Sequence, residues 1–173
     1  VSDREFARAC VAPFIVQDVA KSWRAWKEWR DDAGGVCVEE IVGKFGSAVS
    51  PVVIDDHGLR ENMSVSEYFE SKWEQIPGMI SEYRAYLKDF HFFRHSGDAA
   101  LYYENPFPND WLNTYCDAVN RDDFRFVYIG PAGSRTPTHH DVLSSCSWSA
   151  SICGYKLWLF FPPLSSHMLF VRH

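Results

Sequence analysis

The stretch Thr136-Pro137-Thr138-His139-His140-Asp141 holds the residues best suited to chemistry. Along a strand, side chains alternate between faces, so positions two apart point the same way. On that rule His139 and Asp141 share the inward face and His140 points away. One imidazole nitrogen and one carboxylate oxygen on a common face make two-thirds of a 2-His-1-carboxylate triad. Such a triad holds iron(II) on three positions and leaves three for a bidentate co-substrate and O2. A lone H-x-D pair arises readily by chance in a chain with 7 His. Its meaning depends on what surrounds it.

Lys156 supplies that context. It lies in the apolar run Tyr155 to Phe161. If Leu157 and Leu159 take one face, Lys156 and Trp158 take the other. An ammonium inside such a run needs a partner, because burying an unpaired charge is costly. One reading is a lysine whose head reaches water along an apolar stem. The sharper one is a counter-charge for an acidic ligand, a charge-assisted hydrogen bond worth about 1.5–3 kcal/mol.

The elements that must position these residues follow from periodicity. Ser2-Asp3-Arg4-Glu5 has the form of a capping box. Phe14-Ile15-Val16 is expected to be a strand, and Ser22 to cap a helix in which Trp23, Trp26 and Trp29 form a stripe facing the core. Ala48 to Ile54 is expected as a strand closed by the turn Asp55-Asp56-His57-Gly58. Ser64 or Ser66 opens a helix through Glu74. Further on, Arg84 to Phe93, Ala100 to Glu104 and Phe124 to Ile129 are expected strands, and Asn109-Asp110 caps a helix through Val119. Val142 to Cys153 and Tyr155 to Phe161 are apolar, β-prone runs hinged at Gly154. Helices and mixed elements first, strands later, predict an α+β protein whose functional part is a β-barrel or sandwich.

Composition narrows the function classes. The chain has 173 residues, 46% hydrophobic and 16% aromatic, with a formal net charge of −6. That balance argues against nucleic acid as the main partner, since phosphate binding draws on a Lys/Arg surplus. No apolar run approaches membrane-spanning length, and none has the form of a secretory leader, so no membrane association is expected. The 5 cysteines form no C-x-x-C pair. A disulfide framework or structural zinc is therefore not expected, and a reducing compartment, cytosol or nucleus, is.

Several segments together resemble a known family. Tyr128-Ile129-Gly130-Pro131-Ala132-Gly133, Thr136 to Val142, Ser147-Trp148-Ser149 and Gly154 to Pro163 resemble the jumonji-C (JmjC) hydroxylases, and Tyr86-Leu87-Lys88-Asp89-Phe90-His91 is similar to their upstream Y-L-K-D-W-H segment. The resemblance runs from about Phe14 to Pro163 and is most specific from Tyr128 onward. It implies a jumonji-type double-stranded β-helix, with residues 1–83 as a mixed N-terminal part, 84–163 as the first half of the barrel and 164–173 as a divergent tail.

The same resemblance implies roles. His139 and Asp141 match the first two iron ligands. Lys156 matches the lysine that pairs with the distal carboxylate of 2-oxoglutarate, and Thr136 a hydroxyl donor to that carboxylate. Ser149 stands where relatives carry a 2-oxoglutarate-contacting Asn. Fe(2+) would be the cofactor, with 2-oxoglutarate and O2 as co-substrates. The implied reaction is hydroxylation of a protein, at a lysyl side chain of a translation termination factor. The family's second His lies beyond the G-x-K-x-W segment, and the tail after Pro163 does not match that continuation; His167 and His173 are the only substitutes it offers. A truncated form, poorly folded and of low activity, is expected on that ground. Alternatives are a non-catalytic interaction or regulatory protein, a histone demethylase and a sugar-binding cupin.

Overall fold

The computed structural model describes residues 12–55, 57–73, 84–107, 109–162 and 164–165. The Ser2–Glu5 capping box, His167 and His173 lie outside the described residues.

A four-stranded antiparallel sheet organises the chain. Its strands are β1 (Val49–Val53), β2 (Arg60–Ser64), β3 (Tyr86–Phe90) and β4 (Val127–Ile129), in the spatial order β2-β1-β3-β4. Because β1 pairs with β3, Val52 opposite Leu87, one sheet spans both sides of residue 83. The β1–β2 hairpin forms where the turn was expected. The Asp55 carboxylate accepts from the backbone N–H of His57 and of Leu59, at 3.0 and 2.8 Å. That is the local bonding that makes Asp a turn former.

Among the described residues, five short α-helices flank the sheet: α1 (Arg24–Glu28), α2 (Val38–Phe45), α3 (Val65–Tyr68), α4 (Phe92–His95) and α5 (Trp111–Ala118). Ser64 caps α3, its hydroxyl accepting from the Glu67 N–H at 3.1 Å, and the turn continues in a wider coil through Trp73. Asp110 caps α5 in the same way through the Asn113 N–H. Both caps satisfy N–H groups that a helix start leaves orphaned.

The core is aromatic. Trp29, Phe45, Phe92 and Tyr102 meet with ring centroids 5.0 to 6.3 Å apart. Edge-on and offset arrangements of this kind suit the ring quadrupoles. Val52, Leu87 and Phe90 extend the core across the sheet. Tyr68 ties two strands together: its buried hydroxyl lies 2.9 Å from the Ile129 carbonyl and 3.2 Å from that of Ala85. Of the tryptophan stripe, Trp23 and Trp29 are buried as expected. Trp26 is half-buried under the Arg30 guanidinium, 4.1 Å from its ring centroid.

Several expected elements are not formed. Residues 14–16 are exposed and make no strand. Ser22 ends a 3-10 turn (Val19–Ser22), its hydroxyl bonded back to the Val19 carbonyl, and does not cap α1. Residues 99–101 are a 3-10 turn where a strand was expected. The strand expected over Arg84 to Phe93 stops at Phe90, because Phe92 turns into α4 and the core. The runs 142–153 and 155–161 pair with no strand among the described residues. The result is an α+β arrangement holding part of a jumonji-type barrel.

Candidate functional site

β3 carries two faces. Leu87 and Phe90 enter the core; Tyr86 and Lys88 point to the opposite side. The change of step comes from a bulge: Leu87 pairs with Ile129 but Phe90 with Val127, so β3 holds one extra residue. Asp89 sits in that bulge at φ 57°, a left-handed conformation that Asp tolerates better than most residues. Its carboxylate accepts from the Tyr128 hydroxyl at 2.8 Å and from Arg60 at 2.9 Å. This bond orients the Tyr128 ring over the second face, 6.0 Å from that of Tyr86. Burial and then the Asp89 bond push the Tyr128 phenol well above its ordinary range, and the charge of Asp141 adds to the shift. Gly130 follows directly, and a Cβ there would meet the Tyr86 ring at 2.6 Å. The glycine of the Tyr128–Gly133 segment is thus what lets the loop pass close to β3.

The C-terminal run is fastened at one stretch and free beyond it. Trp148 packs against Trp23 and Tyr103, with centroids 6.1 and 5.9 Å away. Arg30 donates to the Ile152 carbonyl at 2.6 Å, and the Cys153 thiol to that of Trp29 at 3.3 Å. Gly154 then turns the chain at φ 64°. Past this hinge the Lys156 ammonium comes to 5.3 Å from the Tyr128 ring and 4.3 Å from that of Trp158. Trp158 and Phe160 stack at 5.9 Å. Lys156, Trp158 and Phe160 therefore share one side of an extended backbone, as alternation requires, although no ladder holds it. Desolvation, and secondarily the charge of Lys88, hold the Lys156 ammonium below its usual range.

His139 and Asp141 come together, but not as expected. Residues 136–141 form no strand, and both side chains are exposed, 51% and 40%, where an inward face was expected. Their proximity is local: His139 Nε2 lies 3.5 Å from Asp141 Oδ1. His139 Nδ1 lies 2.8 Å from the Pro137 carbonyl, which can only accept, so Nδ1 carries the proton in that bond. In the neutral imidazole with that tautomer the lone pair lies on Nε2, the atom that faces Asp141 and that a metal would bind. The other Asp141 oxygen accepts from Ser147 Oγ at 2.5 Å, which leaves Oδ1 turned toward the imidazole. Two donors bonded to one metal at about 2 Å, at right angles, stand about 3 Å apart. The pair fits two sites on a metal ion. Among the described residues no group of three or more His, Cys, Asp or Glu gathers around one point.

The other expected ligand contacts are less organised. Thr136 and Ser149 are exposed, and no hydrogen bond to either side chain occurs among the described residues. Tyr128, Ser147 and Lys88 were not singled out by sequence reasoning. Lys88 carries the signal that marked Lys156, a lysine inside an apolar strand. Tyr128 acts through Asp89, a contact distant in sequence, and Ser147 through Asp141 six residues back, a spacing that matches no strand or helix period.

Comparison with known proteins gives the family. The model of the cupin-like domain matches residues 4–173. The chain is 36% identical over 184 residues to arginine-specific demethylase JMJ20 of Arabidopsis thaliana, covering 93% of this chain and 39% of that protein. It is 40% identical over 156 residues to the 2-oxoglutarate and iron-dependent oxygenase JMJD4 of Mus musculus, covering 83% of this chain and 36% of the relative. JmjC domain-containing protein 1 of Schizosaccharomyces pombe is 39% identical over 109 residues, 62% of this chain and 22% of that protein. No solved structure matches the chain. It thus spans less than half the length of these curated relatives. This chain belongs to the cupin-like domain family and resembles, within it, the jumonji-C proteins.

Proposed function

We propose that the chain forms the co-substrate-binding part of an iron(II)- and 2-oxoglutarate-dependent protein oxygenase. The observation that carries this reading is the His139–Asp141 pair, Nε2 and a carboxylate oxygen facing each other at 3.5 Å. Bound there, iron supplies the oxidising chemistry by which O2 and 2-oxoglutarate are spent to hydroxylate a C–H bond. His139 and Asp141 hold the metal. Ser147 fixes the Asp141 carboxylate by its hydrogen bond. Lys156, with Thr136, takes the far carboxylate of 2-oxoglutarate, and Ser149 gives a further hydroxyl. Lys156 is exposed, not enclosed as its place in an apolar run led one to expect, and its ammonium rests beside the rings of Tyr128 and Trp158.

Two donors among the described residues make metal affinity weak, so turnover by this chain is expected to be low. The substrate is a protein. Resemblance to the lysyl hydroxylase branch of the jumonji-C proteins supports a lysyl side chain of a translation termination factor. The relative named as an arginine-specific demethylase supports a second reading, hydroxylation of an N-methyl group with loss of formaldehyde. The thiols of Cys37, Cys116, Cys146 and Cys153 are all free, which supports the cytosol or nucleus.

Succinate release from 2-oxoglutarate, with iron and O2, tests the reading. Turnover lost in His139→Ala supports it; turnover unchanged in that variant, or none at any iron concentration, contradicts it. A peptide that gains one oxygen separates lysyl hydroxylation from demethylation, which releases formaldehyde.

A further inference from the structure

Lys88 is the one lysine with a buried side chain on β3, and its burial has no evident structural reason. The residue is 8% exposed. Its ammonium lies 5.7 Å from the Tyr86 ring centroid, and among the described residues no acid or carbonyl bonds it. The adjacent acid, Asp89, is already engaged by Arg60 and Tyr128. Burial pushes the Lys88 ammonium below its usual range, with Asp89 partly opposing the shift. A protein keeps an unpaired buried ammonium at a cost, and replacing such a charge by an apolar group often stabilises the fold.

The position of Lys88 suggests what pairs it. It shares a face of β3 with Tyr86, whose ring lies beside that of Tyr128, and Tyr128 lies under Lys156. The two ammoniums flank one pair of tyrosine rings, Lys88 5.7 Å from the Tyr86 centroid and Lys156 5.3 Å from that of Tyr128. The fold thus sets two cations about one pair of rings, and among the described residues neither forms an ion pair. One bound carboxylate, with two oxygens and several lone-pair directions, serves both.

We propose that Lys88 and Lys156 form a two-cation anchor for the far carboxylate of a dicarboxylate co-substrate, and that Lys88 makes the site select dicarboxylates over monocarboxylates. This rests on the oxygenase reading above and adds a residue to it. Lys156 alone could hold one carboxylate oxygen; the second ammonium holds the other and fixes its plane. A monocarboxylic keto acid such as pyruvate reaches the metal without reaching either lysine.

The test is calorimetric titration of the full chain, at saturating manganese(II), with 2-oxoglutarate and separately with pyruvate. The variants are Lys88→Met, Lys88→Arg and Lys156→Met. In Lys88→Met the 2-oxoglutarate Kd is expected to rise by about tenfold to a hundredfold, the range of a charge-assisted hydrogen bond. Pyruvate affinity is expected to stay the same, and Lys88→Arg to keep most of the binding. Without ligand, Lys88→Met is expected to raise Tm by about 2–4 °C. That gain shows that the variant folds and that the charge serves something other than stability. If wild type takes up 2-oxoglutarate and Lys156→Met abolishes it while Lys88→Met does not, the anchor is overturned and the oxygenase reading stands. A Lys88→Met chain that melts lower than wild type and binds equally well assigns Lys88 to the fold and overturns the anchor. A wild-type chain that takes up no 2-oxoglutarate with metal overturns both.

Discussion

The sheet and the C-terminal run carry similar amino acids and have opposite fates. The core-facing residues of β1 and β3 are apolar, β-prone and buried, Val52 and Leu87 completely so. Residues 155–161 are equally apolar and β-prone, yet Leu157 is 84% exposed and Leu159 72%. The difference is partnership. β1 has a ladder on both edges and a helical layer beneath, whereas the run past Gly154 has neither among the described residues. Strand preference expresses packing against neighbours more than any backbone tendency. The run keeps the alternation of a strand, as Lys156 over Trp158 and Trp158 on Phe160 show, but alternation alone buries nothing. Such an apolar face is a surface awaiting cover.

Substitutions break or sharpen this contrast. The largest expected effect is in the aromatic core: Phe92→Ala removes a side chain that touches Trp29, Phe45 and Tyr102, at about 3–5 kcal/mol. Leu159→Ala is expected to stay within about 0.5 kcal/mol of wild type. Urea denaturation measures both; a cost for Leu159→Ala comparable to that for Phe92→Ala would show the run to be packed. Tyr68→Phe comes next. It strips a buried donor from the Ile129 and Ala85 carbonyls and is expected to cost about 1–3 kcal/mol. Ser64→Ala removes the α3 cap and is expected to cost about 1 kcal/mol. Both belong to the packed region, so effects near zero would place its stability elsewhere.

The smallest effect is expected at alkaline pH. The Tyr128 phenol has a folded-state pKa raised above the ordinary 10.0. Its contribution is therefore fully present below pH 10 and is lost as pH rises from there toward the raised value. Denaturation at a series of alkaline pH values should show a shallower decline for Tyr128→Phe than for wild type. An identical decline would mean that Tyr128 is neither buried nor bonded to Asp89 in solution.

What could be read from the sequence follows the same divide. The Asp55 turn and the Ser64 and Asp110 caps held, since each depends on neighbours within one turn of chain, whereas the equally local Ser22 cap did not form. The H-x-D pair was legible as a pair, because two residues in an extended segment share a side. Its inward orientation was not, since facing inward needs a strand on each side of 136–141. The strand expected over residues 100–104 was lost to packing, because Ala99 and Tyr102 belong to the core and a 3-10 turn delivers both. Asp89 in its bulge, which aims Tyr128 at the site, depends on a register between β3 and β4 that no local pattern encodes.

The account rests on His139 and Asp141 acting as a pair on one metal ion. Manganese(II) titration followed by electron paramagnetic resonance, with 2-oxoglutarate present, measures this directly. The expected result is a bound signal in wild type that His139→Ala and Asp141→Ala each abolish, while His140→Ala leaves it unchanged. Equal manganese affinity in wild type and in both ligand variants would contradict the account.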